Sequence, residues 1–123
     1  MKIQESAENY LETILMLNQK NPPVRSIDIV NELAVTKPSV SVAMKNLREN
    51  GYIEMDDDGY ISLTPKGKEI AESVYERHTL LAKWLERIGV DKNIAADDAC
   101  RIEHVISPET FEAIKNLFDH SAQ

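Results

Sequence analysis

The sequence predicts a mainly α-helical chain carrying one small β-hairpin, and three observations predict it. Apolar residues recur at three- and four-residue spacing through most of the chain. Capping residues or prolines stand ahead of several of these stretches, and glycines stand behind two of them. Between Tyr52 and Leu63 the rhythm changes to two short β-type runs around three aspartates and a glycine.

From Glu5 to Lys20 the residues Ala7, Tyr10, Leu11, Ile14 and Leu17 make one apolar helical face, which Asn21, Pro22 and Pro23 end. Ser26 is expected as the N-cap of a short second helix with Ile27, Val30 and Leu33 on its inner side. A third helix is expected from Lys37 to Asn50, with Pro38 in its first turn and Gly51 just past its end. Strands at Tyr52 to Met55 and Tyr60 to Leu63 form the hairpin. Thr64 then caps a long helix starting at Pro65, with the stripe Ile70, Val74, Leu81, Leu85 and Ile88, closed by Gly89. A further helix fits Asn93 to Ile106, and Ser107-Pro108 opens a last one carrying Phe111, Ile114, Leu117 and Phe118. Three helices, a hairpin and three more helices are the order of an N-terminal winged helix-turn-helix, here residues 1–72, followed by a helical domain at 73–123.

Net charge opposes the use such a fold usually has. Fourteen Lys and Arg against 21 Asp and Glu leave 14 − 21 = −7 with neutral histidines, and phosphate contacts need cations. The third helix reads differently. On a helical wheel Val40, Met44 and Leu47 fall within roughly 60° of each other and face the core. Pro38, Val42, Lys45 and Asn46 lie opposite, flanked by Ser39 and Ser41. Lys37, Lys45 and Arg48 add three cations with no anion among them. Such a surface is either a solvated helix or a DNA-reading one, and the hairpin behind it favours DNA. The candidate DNA contacts are Arg25, Lys37, Pro38, Ser39, Ser41, Val42, Lys45 and Lys66, with Lys68 and the Thr64 helix start as further phosphate contacts. The acidic tip, Asp56 to Asp58, is expected to avoid the DNA backbone or to bond only within the hairpin.

Cys100 is the only cysteine, so no intrachain disulfide forms, and a reducing cytoplasmic location is the expectation. No apolar run approaches the roughly 18 residues that span a bilayer, and MKIQESAENY has no signal core, so no membrane partner is expected. Cys100, Glu103 and His104 stand at i, i+3 and i+4, which puts a thiol, a carboxylate and an imidazole on one helical face. Each also has a plainer explanation: Cys100 as a small buried apolar group, Glu103 as surface charge, His104 as a core or surface histidine. His78 shares a side with Val74, Leu81 and Leu85 and is either a core histidine or a ligand. No acyl-transfer signature surrounds Cys100 and His104, so the chain reads as a binding protein and not an enzyme. Ile94, Ala99, Ile102, Val105 and Ile106 serve either an internal core or a dimer interface.

Several segments together resemble the diphtheria-toxin-repressor family of iron- and manganese-dependent transcriptional repressors. They are ENYLETILML, TKPSVSVAMKNLRENGYI, LTPKGKEIA, RHTLLAKWL and, most specifically, DDACRIEHVIS, in the family's order and over nearly the whole chain. The resemblance implies a homodimeric repressor, activated by Mn(II) or Fe(II) with other divalent transition metals able to substitute, that binds a palindromic double-stranded operator and controls metal-uptake genes. It implies metal ligands at Asn9, Glu12, His78, Cys100, Glu103 and His104, drawn from both domains, the second being the metal-binding and dimerisation domain. An ion shared in this way would set the spacing of two recognition helices, which must lie about 34 Å apart to enter successive major grooves. Where the manganese type has an aspartate and the iron type a methionine, this chain has Asn9, which offers an amide oxygen or its backbone carbonyl. Cys100 is iron-like, yet the iron type's second-site glutamate and histidine fall on Ala82 and Ala96. In length the sequence matches the manganese transport regulators, so the SH3-like domain of longer members is not expected. The alternative is a metal-independent winged-helix regulator. One divalent cation per subunit would move −7 toward −5, so net charge points to a missing cation more than it excludes DNA.

Overall fold

The computed structural model describes residues 5–121, which divide into two compact units, one reaching Ser73 and one starting at Val74. The first holds α1 (Glu5–Lys20), α2 (Ser26–Leu33), α3 (Lys37–Glu49), β1 (Ile53–Met55), β2 (Ile61–Leu63) and the first turns of α4 (Pro65–Arg87). The rest of α4, α5 (Lys92–Val105) and α6 (Pro108–Ser121) form the second. The chain is mainly α, as the sequence predicts, with the winged helix-turn-helix order in its first unit.

That unit is built around one core. Leu11, Ile14 and Leu15 of α1 meet Ile29 of α2, Val40, Met44 and Leu47 of α3, Ile53 and Ile61 of the hairpin, and Ala71 of α4. The face of α3 expected to be inner is therefore the inner one, which leaves its other face to solvent. Two expectations for α2 need correction. Ser26 is already helical, and the cap position belongs to Arg25, whose backbone N–H donates to Asp28 Oδ2 at 2.8 Å. Ile29 is the buried anchor while Ile27 is exposed, because eight residues bury only one narrow stripe and Ile29 centres it.

Thr36 Oγ1 accepts from the Ser39 N–H and starts α3. Gly51, at φ +80°, ends the helix: its N–H bonds to Arg48 O, and the Tyr52 N–H bonds to Leu47 O. This Schellman closure needs the left-handed backbone that glycine adopts at least cost. The strands pair antiparallel with Ile53 opposite Leu63 and Met55 opposite Ile61, and Val24 adds a bridge through Ile61 N–H to Val24 O at 2.7 Å. At the tip, Asp56 Oδ1 accepts from the Asp58 and Tyr60 N–H groups, the hairpin-internal use expected of it. Gly67 locks α4 to the hairpin, since a Cβ there would overlap the Tyr52 carbonyl.

In the second unit Val74, Leu81 and Leu85 of α4, Ala95 and Ala99 of α5 and Phe111 of α6 are buried. Asp91 caps α5 by accepting from the Asn93 and Ile94 N–H groups, and Ser107 Oγ caps α6 by accepting from the Thr110 N–H. The Arg77 guanidinium ties three helices, donating to Glu103 O at 3.3 Å and lying 5.6 Å from the Phe111 ring centre. Ile88, assigned by periodicity to the buried stripe of α4, is 60% exposed, because the helix ends at Arg87 and the chain turns at Gly89. Among the described residues no helix is long and apolar enough to cross a membrane.

Candidate metal centre and nucleic-acid interface

Burial of Val40, Met44 and Leu47 turns the remaining faces of α3 outward, and Lys37, Pro38, Ser39, Ser41, Val42, Lys45, Asn46 and Arg48 are all exposed. Val42 is 61% exposed, an apolar side chain held out among hydrogen-bonding and cationic ones. Ser39 is partly committed, its Oγ accepting from the Thr36 hydroxyl at 2.7 Å. Arg25 and Lys66, expected to touch phosphate, are exposed and each lies over a hairpin tyrosine: Arg25 Cζ is 4.7 Å from the Tyr60 ring centre, and Lys66 Nζ is 4.5 Å from that of Tyr52. Sequence reasoning missed both tyrosines. Only their place in a hairpin free of Lys and Arg marked them, and nothing local paired either ring with its cation. The Thr64 hydroxyl is used inside the fold as the cap of α4, donating to Gly51 O and accepting from the Gly67 N–H. Lys68 pairs with Glu72 at 3.8 Å along its own helix.

The second unit gathers four of the six expected metal ligands. On α5, Ala95, Ala99 and Glu103 form one buried stripe at i, i+4 and i+8, so a carboxylate occupies a position where an apolar side chain would ordinarily sit. Glu103 is 0% exposed, which corrects its plainer reading as surface charge. The Cys100, Glu103 and His104 ligand atoms lie within 4.8 Å of one another. From α4, His78 Nδ1 comes to 3.0 Å from Glu103 Oε2, and His104 Nε2 lies 3.3 Å from Glu103 Oε1.

A buried carboxylate costs several kcal/mol unless it is compensated. Arg77 bonds to the Glu103 main-chain oxygen, leaving the carboxylate to the two imidazoles. Neither Glu103 oxygen accepts a directed hydrogen bond among the described residues, although both have a ring nitrogen at hydrogen-bond distance. Donors about 2.1 Å from one ion stand roughly 3.0 to 3.4 Å apart at octahedral or tetrahedral angles, so each Glu103 oxygen and its own imidazole are spaced to share a cation, and Cys100 groups with Glu103 and His104. A thiol, a carboxylate and two imidazoles suit a divalent transition metal, the thiol drawing the set toward iron and the carboxylate toward manganese or iron.

Asn9 and Glu12 belong to the first unit, on α1 at i, i+3. Glu12 is buried and Asn9 half-buried. The Asn9 backbone carbonyl accepts from the Thr13 hydroxyl at 2.8 Å, which leaves the side-chain amide as its freer oxygen.

A basic recognition face on a winged helix-turn-helix, in one chain with a buried carboxylate ringed by a thiol and two imidazoles, defines a metal-responsive DNA-binding regulator. Residues 2–68 match the family model of the N-terminal DNA-binding domain of iron-dependent repressors, and residues 64–123 that of their metal-binding and dimerisation domain. The chain is 37% identical over 112 residues to the transcriptional regulator MntR of Bacillus pumilus, covering 91% of this chain and 78% of that protein. It is 31% identical over 115 residues to an uncharacterised helix-turn-helix-type transcriptional regulator of Methanocaldococcus jannaschii, covering 92% of each. A solved manganese-dependent transcriptional repressor in complex with manganese superposes with a TM-score of 0.85 at 23% identity. That likeness covers 92% of this chain and 52% of the solved one, so the chain spans about half its length. The chain belongs to the iron-dependent repressor family, that of the diphtheria toxin repressor.

Proposed function

We propose that the chain is a metal-dependent transcriptional repressor that senses Mn(II) or Fe(II) and controls metal-uptake or homeostasis genes. It acts in the cytoplasm as a homodimer on a palindromic double-stranded operator, and its role is binding rather than catalysis. The observation that carries the metal half is Glu103, a fully buried carboxylate with ring nitrogens at 3.0 and 3.3 Å. The assigned ligands are His78, Cys100, Glu103 and His104, with Glu12 and Asn9 added on the family resemblance.

A bound divalent cation supplies the positive charge that offsets the Glu103 carboxylate and the Cys100 thiolate. Glu103 presents two oxygens from the buried stripe of α5, and the preceding turn of that helix presents the thiol. His78 and His104 each bring a ring nitrogen to one oxygen of that carboxylate. On the DNA side, Lys37 and Lys45, with Arg25 and Lys66, contact phosphates and fix register, while Pro38, Ser39, Ser41 and Val42 approach base edges.

Selection from a randomised duplex pool, run anaerobically with Mn(II), with Fe(II) or with a chelator, tests this reading. The expected outcome is an enriched inverted repeat with metal and none with chelator. The same repeat enriched equally under chelator would replace it with the metal-independent regulator.

A further inference from the structure

From Tyr52 to Leu63 the hairpin carries Glu54, Asp56, Asp57 and Asp58 and no Lys or Arg. A wing of that charge repels phosphate. Its two ends nevertheless hold cations supplied by neighbouring segments. The Arg25 guanidinium lies 4.7 Å from the Tyr60 ring centre, and its Nη2 donates to the Tyr60 hydroxyl at 3.2 Å. Lys66 Nζ lies 4.5 Å from the Tyr52 ring centre and donates to Asn50 O at 3.5 Å. Both cations are exposed and both tyrosines half-buried, so each ring is the fixed partner and each cation the outward one.

We infer that Tyr60 and Tyr52 are positioning residues, holding Arg25 and Lys66 at the ends of the wing to receive DNA phosphates. This rests on the reading that the first unit binds DNA. A cation stacked on a ring has already given up part of the rotamer freedom it would lose on meeting a phosphate. It keeps donors to spare, since the guanidinium has five N–H groups and the ammonium three. The wing thus contributes phosphate contacts through residues outside its own sequence.

The test uses the full chain with Mn(II) and the duplex recovered from selection, with affinity read by fluorescence anisotropy across a salt series. Arg25→Gln is expected to lower the slope of log affinity against log salt by about 0.9, one phosphate's worth. Tyr60→Leu is expected to weaken binding roughly two- to fivefold and Tyr60→Phe less, because the ring remains. Arg25→Gln combined with Tyr60→Leu should bind no more weakly than Arg25→Gln alone. Lys66→Gln and Tyr52→Leu should behave as the matching pair. Thermal unfolding of each variant separates positioning from lost fold, and Tyr60→Phe, which keeps the packed ring, still reports the hydroxyl's share if Tyr60→Leu unfolds. The inference is overturned by wild-type affinity in Tyr60→Leu, by an unchanged salt slope in Arg25→Gln, or by losses that multiply in the double variant. A wild-type chain that binds no duplex overturns the DNA-binding reading itself.

Discussion

The two units spend their apolar residues differently. In the first, eleven described apolar side chains from Leu11 to Ala71 close into one core, and the large apolar residues exposed among the described ones are Ile27 and Val42. In the second, the buried apolar set is Val74, Leu81, Leu85, Ala95, Ala99 and Phe111, a buried carboxylate sits beside it, and Tyr75, Ile88, Ile94, Val105 and Leu117 are exposed. The first unit has the composition of a self-sufficient small domain. Among the described residues each unit buries one carboxylate, Glu12 in the first and Glu103 in the second, but the second also exposes more hydrocarbon than stability alone would select, so its sequence answers to ligands and to a second copy of itself.

Substitutions that exchange these properties should give unequal effects. Leu11→Ala empties part of the first core and should cost about 2–5 kcal/mol in chemical denaturation. Val105→Asp, at a side chain 72% exposed, should leave protomer folding within about 0.5 kcal/mol. It should still raise the dimer dissociation constant roughly tenfold or more in sedimentation experiments. A Val105→Asp chain with unchanged dimer affinity would place the interface elsewhere and break the contrast. Val42→Ala should leave fold and salt slope alone while reducing discrimination between operator and random duplex by about 0.5–1 kcal/mol, read by competition binding.

The smallest effect concerns the second unit's surface. Lys115 has its pKa raised above the ordinary 10.5, first by its hydrogen bond to Glu76 and then by that carboxylate's charge. The protonated form is the favoured one in the fold. The contribution is therefore present below 10.5 and lost as pH rises through the folded value. Glu76→Gln should shift unfolding slightly at neutral pH and not at all well above pH 10.5.

Much of this was legible in the sequence, for identifiable reasons. The inner face of α3 follows from Val40, Met44 and Leu47 because i, i+4 and i+7 spacing sets them on one side of any helix. Cys100, Glu103 and His104 were legible as a cluster because i, i+3 and i+4 spacing is set by the helix itself. The burial of Glu103 was not legible, since nothing local distinguishes a carboxylate on an outer face from one continuing the Ala95–Ala99 stripe. The Arg25–Tyr60 and Lys66–Tyr52 stacks were equally hidden, each joining residues far apart in sequence. Ile27 and Ile88 misled for the opposite reason: periodicity assigns phase but does not say where a short helix or a helix end runs out of neighbours.

The account turns on metal control of DNA binding through the cluster centred on Glu103. Its most direct test is an anisotropy titration of the selected operator duplex with Mn(II), run in parallel on the wild-type chain and on Glu103→Gln, which keeps the side chain's size and removes its charge. The wild type should gain about 100-fold or more in DNA affinity on metal addition, and Glu103→Gln should gain little at the same metal concentration while keeping its metal-free affinity. An equal gain in both proteins, or none in the wild type, would contradict the account.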